Sequence, residues 1–185
     1  MTHHSLTLHN QSTKEQAGSG LHFRKPRKED GAAIWHLVKA CPPLDCNSMY
    51  MNVVQCDHFA DTCIIAERDG QIVGWISGHV PPDTPDTLFV WQVAVHDEAR
   101  GLGLGKRMLT ALLSRKECAD LRRMETTITR SNEASWGLFR SFARSMGGDL
   151  TDAPHYERDA HLGGKHATEY LVTISLPRRR LRAAA

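Results

Sequence analysis

The stretch "FVWQVAVHDEARGLGLGKRML" at residues 89–109 decides the fold of this chain. It opens with an alternating apolar run that predicts a strand, and it closes with residues spaced as on an amphipathic helix. Between them lie three glycines, Gly101, Gly103 and Gly105, directly behind Arg100. Because glycine has no Cβ, it permits unusual backbone angles and lets another molecule approach the main chain closely. The stretch therefore predicts a strand, a glycine loop and a helix.

A loop that leads into a helix in this way is suited to an anion. The first turn of a helix exposes unpaired N–H groups and the positive end of the helix dipole. Phosphate is the usual ligand at such a position. Arg100 and Lys106 add positive charge at its rim. The alternative is a tight turn that binds nothing, which one isolated glycine would favour; an arginine followed by alternating glycines favours phosphate.

The glycine spacing excludes two common phosphate motifs. No Gly-Lys-Ser/Thr closes the loop, as a P-loop requires. The alternating glycines also depart from the dinucleotide fingerprint, and no acidic ribose partner follows at a suitable distance. The segment instead resembles the acetyl-CoA motif of the GNAT N-acetyltransferases, Gln/Arg-x-x-Gly-x-Gly/Ala, with Arg100, Gly103 and Gly105 in the matching positions. The resemblance implies that the loop amides hold the CoA pyrophosphate and that the preceding strand binds the pantetheine arm.

The resemblance also implies which residues contact acetyl-CoA, the expected co-substrate. They are Val93, Val95, Arg100, Gly101, Gly103, Gly105, Lys106 and Asn132. Asn132 begins the run "NEASWGLF", where many GNAT enzymes end the motif N-x-x-A-x-x-x-Y with a tyrosine that protonates the leaving thiolate. Here Phe139 takes that position, and phenylalanine cannot donate a proton, so the general acid stays unassigned.

Composition bounds the class of protein. The 185 residues, 41% hydrophobic and 24% charged, suit one globular domain with a net charge of +2. No apolar run approaches the roughly 20 residues of a membrane span. Five cysteines without a paired C-x-x-C indicate reduced thiols in a cytoplasm, and no metal is expected. We expect a disordered tail at 1–20, a domain at 21–176, and a solvated basic tail at 177–185 rather than a nucleic-acid-binding segment.

Hydrophobic periodicity and turn residues predict the order β-α-α-β-β-β-α-β-α-β. Asn47 or Ser48 is expected to cap the second helix, and Asp69-Gly70 to form the turn of a hairpin. The order predicts an α/β protein. The resemblance makes it the GNAT fold, a mixed and mostly antiparallel central sheet flanked by helices.

Four further segments resemble one branch of that family, the diaminobutyrate acetyltransferases. They are "PPLDCNSMY" at 42–50, "FADTCIIAE" at 59–67, "IVGWISGHVPPDTPDTLFVWQVAV" at 72–95 and "METTITRSNEASWGLF" at 124–139. The resemblance covers residues 21–176. It implies direct transfer of an acetyl group, in a ternary complex, to the 4-amino group of L-2,4-diaminobutyrate, whose product another enzyme cyclises to ectoine. The alternative is a GNAT enzyme that acts on another small amine or a peptide amine.

This chemistry makes its own demands on the site. An alkylammonium, with a pKa of about 10.4, must lose a proton before it attacks. A carboxylate or a water chain can take that proton. The thioester oxygen needs a donor, for which a strand amide near Val93 is suited. The acceptor's ammonium groups call for acids, and its carboxylate calls for hydrogen-bond donors.

The candidate acceptor-binding residues are Asp45, Tyr50, Trp91, His166 and Glu169. Glu169 is also the candidate catalytic base. Four of the five have a structural alternative: Asp45 as a helix cap, Tyr50 and Trp91 as packing residues, and His166 as a surface histidine. Trp91 is expected to share a sheet face with Phe89 and Val93. The expected partners are a small diamino acid and a second copy of the chain, with no nucleic acid and no membrane.

Overall fold

The computed structural model describes residues 20–177, and within them it contains seven strands and four α-helices. The strands are β1 (Leu21–Arg24), β2 (Ile64–Arg68), β3 (Gln71–His79), β4 (Thr87–Val95), β5 (Arg123–Thr129), β6 (Leu150–Tyr156) and β7 (Glu169–Ser175). The helices are α1 (Gly31–Lys39), α2 (Met49–His58), α3 (Leu104–Leu113) and α4 (Glu133–Met146). Most of the two predicted tails, residues 1–19 and 178–185, lies outside the described residues.

The strands form one sheet in the order β1-β2-β3-β4-β5-β7-β6. Every neighbouring pair is antiparallel except β4 and β5, which run parallel. The predicted mixed, mostly antiparallel sheet is confirmed. The β4–β5 ladder extends from Thr87↔Arg123 only to Phe89↔Glu125, although both strands continue beyond it. A gap therefore opens between the second halves of these two strands.

Helices cover both faces of the sheet. On one face, α3 and α4 pack through a cluster that includes Met108, Leu109, Leu112 and Phe142. On the other face, α1 buries Ile34, Leu37 and Val38 in a second cluster that contains the fully buried Trp75. The amphipathic helix predicted after the glycines is α3, and its apolar face is buried in the first of these clusters. Apolar area removed from water at about 25 cal/mol per Å² is the main force that holds these layers together.

A β-bulge interrupts β4 where the gap begins. The register passes from Ser77↔Gln92 to Gly78↔Val90, so Trp91 is the extra residue. As a result Val90 and Val93 pack against the same core, on the side of α3 and α4. The prediction that Trp91 shares a face with both Phe89 and Val93 is wrong, because the bulge shifts the alternation by one residue.

Local sequence patterns predict a helix cap and a hairpin turn correctly, but they miss one strand. Ser48 caps α2, since its Oγ accepts from the Met51 N–H at 3.2 Å. Asp69 and Gly70 both have positive φ, as the predicted hairpin turn requires. The predicted order lacks β6, an edge strand that pairs with β7 and contains Pro154. All of β6 beyond Leu150 is exposed, so it carries no alternating apolar pattern.

None of the helices within residues 20–177 combines the length and apolar character that a bilayer crossing requires.

Candidate active site

A cleft of about 480 Å³ lies between β4, the start of α3 and the first half of α4. It occupies the side of β4 from which β5 has separated. All eight residues predicted to contact acetyl-CoA line this one cleft: Val93, Val95, Arg100, Gly101, Gly103, Gly105, Lys106 and Asn132. The structure thus brings together residues that come from one strand, one loop and two helices.

Glycine is needed at the positions of this loop for different physical reasons. Gly103 precedes α3 with φ +65°, and Gly101 has φ +76°, a region that side chains rarely adopt. A Cβ at either position meets no atom within 4 Å, so the space in front of the loop is open. Gly105 lies inside α3, and a Cβ there would be 3.2 Å from a methyl carbon of Leu138 on α4. Gly103 therefore serves the backbone turn, and Gly105 lets the two helices approach.

Two basic side chains flank the start of α3. Arg100 is held at the rim by its Nε bond to the Val95 carbonyl at 3.1 Å and by an ion pair with Asp97 at 2.7 Å. Lys106 reaches across the cleft to Ser141 on α4, with 3.4 Å between Nζ and Oγ. Together with the N–H groups of the first helical turn, these cations make this end of the cleft attractive to phosphate.

The backbone of β4 turns its free edge toward the cleft. The His96 N–H bonds the Val73 carbonyl at 2.9 Å, so His96 faces β3. Main-chain groups alternate along a strand, and those of Val95 and Val93 therefore point the opposite way, into the gap left by β5. The Val95 carbonyl accordingly accepts from Arg100 and from Cys41 Sγ, the latter at 3.4 Å. Val93 offers its N–H at the position predicted for the donor to the thioester oxygen.

The first turn of α4 forms another wall. Asn132 lines the cleft while its Oδ1 accepts from the Ser135 N–H at 3.1 Å, which caps α4. Phe139, where a tyrosine would stand in many GNAT enzymes, is 2% exposed and packs in the core. The position offers no proton donor, as the sequence indicated.

Glu169, at the start of β7, lies within electrostatic range of two other residues predicted for the acceptor. Glu169 is half-buried, and this burial raises the pKa of its carboxyl above the ordinary value. A hydrogen bond with Thr127 opposes the rise in pKa. The negative charge of Asp45 raises the pKa further, and His166 lowers it. Asp45, His166 and Glu169 are thus electrostatic neighbours, although they come from distant parts of the chain.

The remaining two candidates are surface residues. Tyr50 is 76% exposed and Trp91 is 45% exposed, so the alternative that they are core packing residues is wrong. The alternative that Asp45 caps α2 is also wrong, because Ser48 does so. Contact of Tyr50 and Trp91 with an acceptor stays a prediction, as do the ligand roles of the other candidates.

Sequence reasoning did not assign several residues that line the cleft. On α4 they are Ala134, Ser135, Leu138 and Ser141. A helical spacing of three, counted from Asn132 through 135, 138 and 141, is the signal that would have found most of them. The loop residues Cys41, Pro42, Pro43 and Leu44 also line the cleft, and no local pattern indicates where such a loop runs.

Comparison with known proteins agrees with this geometry. Residues 31–143 match the model of the acetyltransferase (GNAT) family. An L-2,4-diaminobutyric acid acetyltransferase of Vibrio cholerae is 46% identical over 154 residues, 83% of this chain and 89% of that protein. One of Chromohalobacter salexigens is 48% identical over 155 residues, 83% of this chain and 80% of that protein.

A solved structure is similar over nearly the whole chain. The diaminobutyrate acetyltransferase of Paenibacillus lautus, in complex with L-2,4-diaminobutyric acid and coenzyme A, aligns with a TM-score of 0.81 and 40% identity. The alignment covers 86% of this chain and 96% of that one. The sheet that opens at β4, the glycine loop and these relatives lead to one conclusion: this chain belongs to the GNAT acetyltransferase family, in its diaminobutyrate acetyltransferase branch.

Proposed function

We propose that this chain transfers the acetyl group of acetyl-CoA to the 4-amino group of L-2,4-diaminobutyrate, giving N4-acetyl-L-2,4-diaminobutyrate, the precursor of ectoine. One observation carries the proposal. Loop residues Cys41 to Leu44 line the cleft, and the next residue, Asp45, is an electrostatic neighbour of Glu169. An acidic site suited to ammonium groups therefore adjoins a cleft suited to coenzyme A.

The cofactor side is explained by the loop and β4. The N–H groups at the start of α3, with Arg100 and Lys106, would hold the pyrophosphate. Main-chain groups of Val93 and Val95 would bond the pantetheine arm, because they point into the gap beside β4. The Val93 N–H would then donate to the thioester oxygen as negative charge develops there.

The acceptor side is explained by the acidic pair. Asp45 and Glu169 would hold the ammonium groups of diaminobutyrate, and His166, Trp91 and Tyr50 would border the site. The 4-ammonium loses one proton, its neutral nitrogen attacks the thioester carbon, and the carbon–sulfur bond breaks to release the CoA thiolate. A second proton leaves the nitrogen to water as the amide forms. The raised pKa of Glu169 makes it a better proton acceptor than an ordinary glutamate. Glu169 thus either binds an ammonium or removes its proton, and a pH–rate profile separates these roles.

A turnover screen tests the proposed function. Acetyl-CoA consumption would be measured with diaminobutyrate, ornithine, lysine, spermidine and 1,3-diaminopropane. We expect diaminobutyrate to be the best substrate and ornithine to lose about 10- to 200-fold in kcat/KM, the range that one methylene gives. Diamines without a carboxylate should be poor substrates. Equal turnover of 1,3-diaminopropane would refute recognition of the carboxylate, and a better lysine or spermidine substrate would establish another acceptor.

We propose further that the enzyme is a cytoplasmic homodimer. Edge strand β6 leaves Ala153 and Tyr156 exposed, and a second copy would cover a strand edge of this kind. The five cysteines are free thiols, which suits a reducing compartment. Sedimentation equilibrium would show twice the mass of the chain, and a monomer at micromolar concentration would contradict the dimer.

We also propose that residues 21–176 are the catalytic unit. Deleting residues 177–185 should leave diaminobutyrate turnover unchanged, since the site lies wholly within the earlier residues. Salt-dependent RNA binding that is lost on this deletion would instead support a nucleic-acid partner.

A further inference from the structure

Polar side chains are buried on α2 and on the sheet face that carries Trp75. Asn52 and Gln55 share a face of α2 with Cys56, which packs in the cluster that contains Trp75. Ser77 of β3 and Gln92 of β4 are cross-strand partners, two residues from Trp75 and Ala94 on the same sheet face. Each of these four polar residues is at most 5% exposed. Within residues 20–177, Asn52 Oδ1, Gln55 Nε2, Ser77 Oγ and Gln92 Oε1 have no hydrogen-bond partner.

One of these residues, Gln92, contacts the loop at residues 41–47, which contains Asp45. The Nε2 of Gln92 donates to the main-chain carbonyl of Asp45 at 2.7 Å, across 47 residues of sequence. A buried amide whose other atom is unpartnered is costly, since desolvation of that atom is not compensated. An apolar side chain of the same length would pack there without this cost. The bond to Asp45 is therefore what the amide contributes at this position.

We propose that Gln92 is a positioning residue that fixes the Asp45 loop to the strand that presents the acetyl group. Gln92 lies between the bulged Trp91 and Val93, whose main chain faces the cleft. Its own side chain points to the opposite face and holds Asp45. Gln92 thereby sets the distance between Asp45, which would bind the acceptor, and the Val93 main chain, beside which the acetyl group would lie.

The rest of the loop shows how Gln92 completes this attachment. At the beginning of the loop, Cys41 Sγ donates to the Val95 carbonyl of β4 at 3.4 Å. Beyond Asp45, Trp35 Nε1 donates to the Asn47 carbonyl at 2.9 Å, which ties that end to α1 rather than to the sheet. The hydrogen bond from Gln92 thus fixes the position of Asp45 itself relative to β4. The bond uses the Asp45 main-chain carbonyl, so it does not occupy the Asp45 carboxylate.

The inference rests on the proposed function, and a double-mutant cycle tests it. Gln92→Met has similar length and no donor, and it should raise the KM for diaminobutyrate about tenfold, the effect of one lost hydrogen bond. The dissociation constant of acetyl-CoA and kcat should change less than about twofold. In an Asp45→Asn background, Gln92→Met should change that KM by less than about threefold, because the group it positions is already lost.

Two further variants distinguish the positioning role of Gln92 from a general loss of stability among the buried polar residues. Gln55→Leu disrupts the bond from Asn52 Nδ2 to Gln55 Oε1, at 3.2 Å, without touching the loop. It should lower the melting temperature and leave the acceptor KM unchanged. Gln92→Asn keeps a buried amide but is one methylene too short to reach Asp45, so it should reproduce the KM rise if Gln92→Met does not fold.

The outcomes distinguish the two proposals. If the wild-type enzyme does not acetylate diaminobutyrate, the proposed function fails. If the wild type does so and both Gln92 variants keep its acceptor KM, only the positioning role fails. Equal effects of Gln92→Met in both backgrounds, or a KM rise in Gln55→Leu as large as in Gln92→Met, would also overturn it.

Discussion

Glu169 is a carboxyl group whose surroundings oppose its charge, and this determines how activity should depend on pH. Its pKa is raised mainly by burial, so the protonated form persists above the ordinary value of 4.5. In either of its two proposed roles, binding an ammonium or accepting its proton, Glu169 would act as the carboxylate, which protonation removes. We expect kcat/KM for diaminobutyrate to fall on the acidic side along a limb whose midpoint lies above pH 4.5, and Glu169→Gln to abolish that limb. A limb unchanged in the variant would exclude Glu169 as its source.

The same group should make stability depend on pH. Because the folded-state pKa lies above the unfolded one, the folded protein binds more protons in the interval between them. The contribution of Glu169 to stability is therefore lost as pH rises from 4.5 through the raised value. Glu169→Gln should consequently be more stable than wild type at neutral pH, with the difference vanishing below pH 4.5. Urea unfolding at pH 4 and pH 7 measures this, and a less stable variant at pH 7 would contradict it.

Asp45 is exposed, so its replacement should alter binding and leave folding unchanged. Asp45→Asn keeps the main-chain carbonyl that Gln92 holds and removes only the charge. Since hydrogen bonds to charged groups contribute about 1.5–3 kcal/mol, we expect kcat/KM for diaminobutyrate to fall about 10- to 100-fold. This fall should come from a higher KM for diaminobutyrate rather than from a lower kcat, because a fixed anion in the loop suits binding. Equilibrium dialysis with acetyl-CoA is the control. Weaker cofactor binding in the variant would contradict the assignment of Asp45 to the acceptor site.

At the scale of elements, the glycine loop and α3 separate two roles for glycine. Gly103→Ala puts a Cβ at φ +65°, which costs about 1–2 kcal/mol and displaces the amides at the start of α3. Gly105→Ala puts a Cβ against the flexible methyl ends of Leu138, which can shift slightly. We expect Gly103→Ala to weaken acetyl-CoA binding more than Gly105→Ala does. Isothermal titration of both folded variants measures this, and the reverse order would show that the contact between α3 and α4 matters more.

Local signals account for those elements whose sequence pattern alone is decisive. The strand, glycines and helix of residues 89–109 follow from periodicity and the conformational freedom of glycine. Strand β6 was not predictable in this way, because an exposed edge strand shows no apolar alternation. The bulge at Trp91 depends on the register between β3 and β4, which no single strand encodes. Local sequence therefore predicts elements, and pairing between elements determines which faces they present.

At the scale of the whole molecule, the two halves of the site had different predictability. The residues predicted to bind the cofactor lie mostly within one continuous stretch, so a single motif predicted them together. The residues predicted to bind the acceptor include Asp45 in a loop and Glu169 at the start of β7, and only the folded chain brings these two within electrostatic range. The hydrogen bond from Gln92 to Asp45 belongs to the second kind, since nothing in "FVWQVAV" indicates its partner.

The cleft also predicts how the whole chain responds to its co-substrate. Acetyl-CoA would contact β4, α3 and α4 at once, and a ligand that binds only the folded state stabilises it by RT ln(1 + [L]/Kd). At 100 times Kd this is about 2.7 kcal/mol, which for a domain of this size raises the melting temperature by about 5–11 °C. Differential scanning calorimetry measures the shift. S-acetylpantetheine at the same concentration is the matched control, because it lacks the pyrophosphate that the loop and α3 are proposed to hold. It should give a much smaller shift, and Gly103→Ala should reduce the acetyl-CoA shift while leaving the small one unchanged. Equal shifts with both compounds would mean that the pyrophosphate and the adenosine contribute nothing to binding, which would contradict the proposed phosphate site.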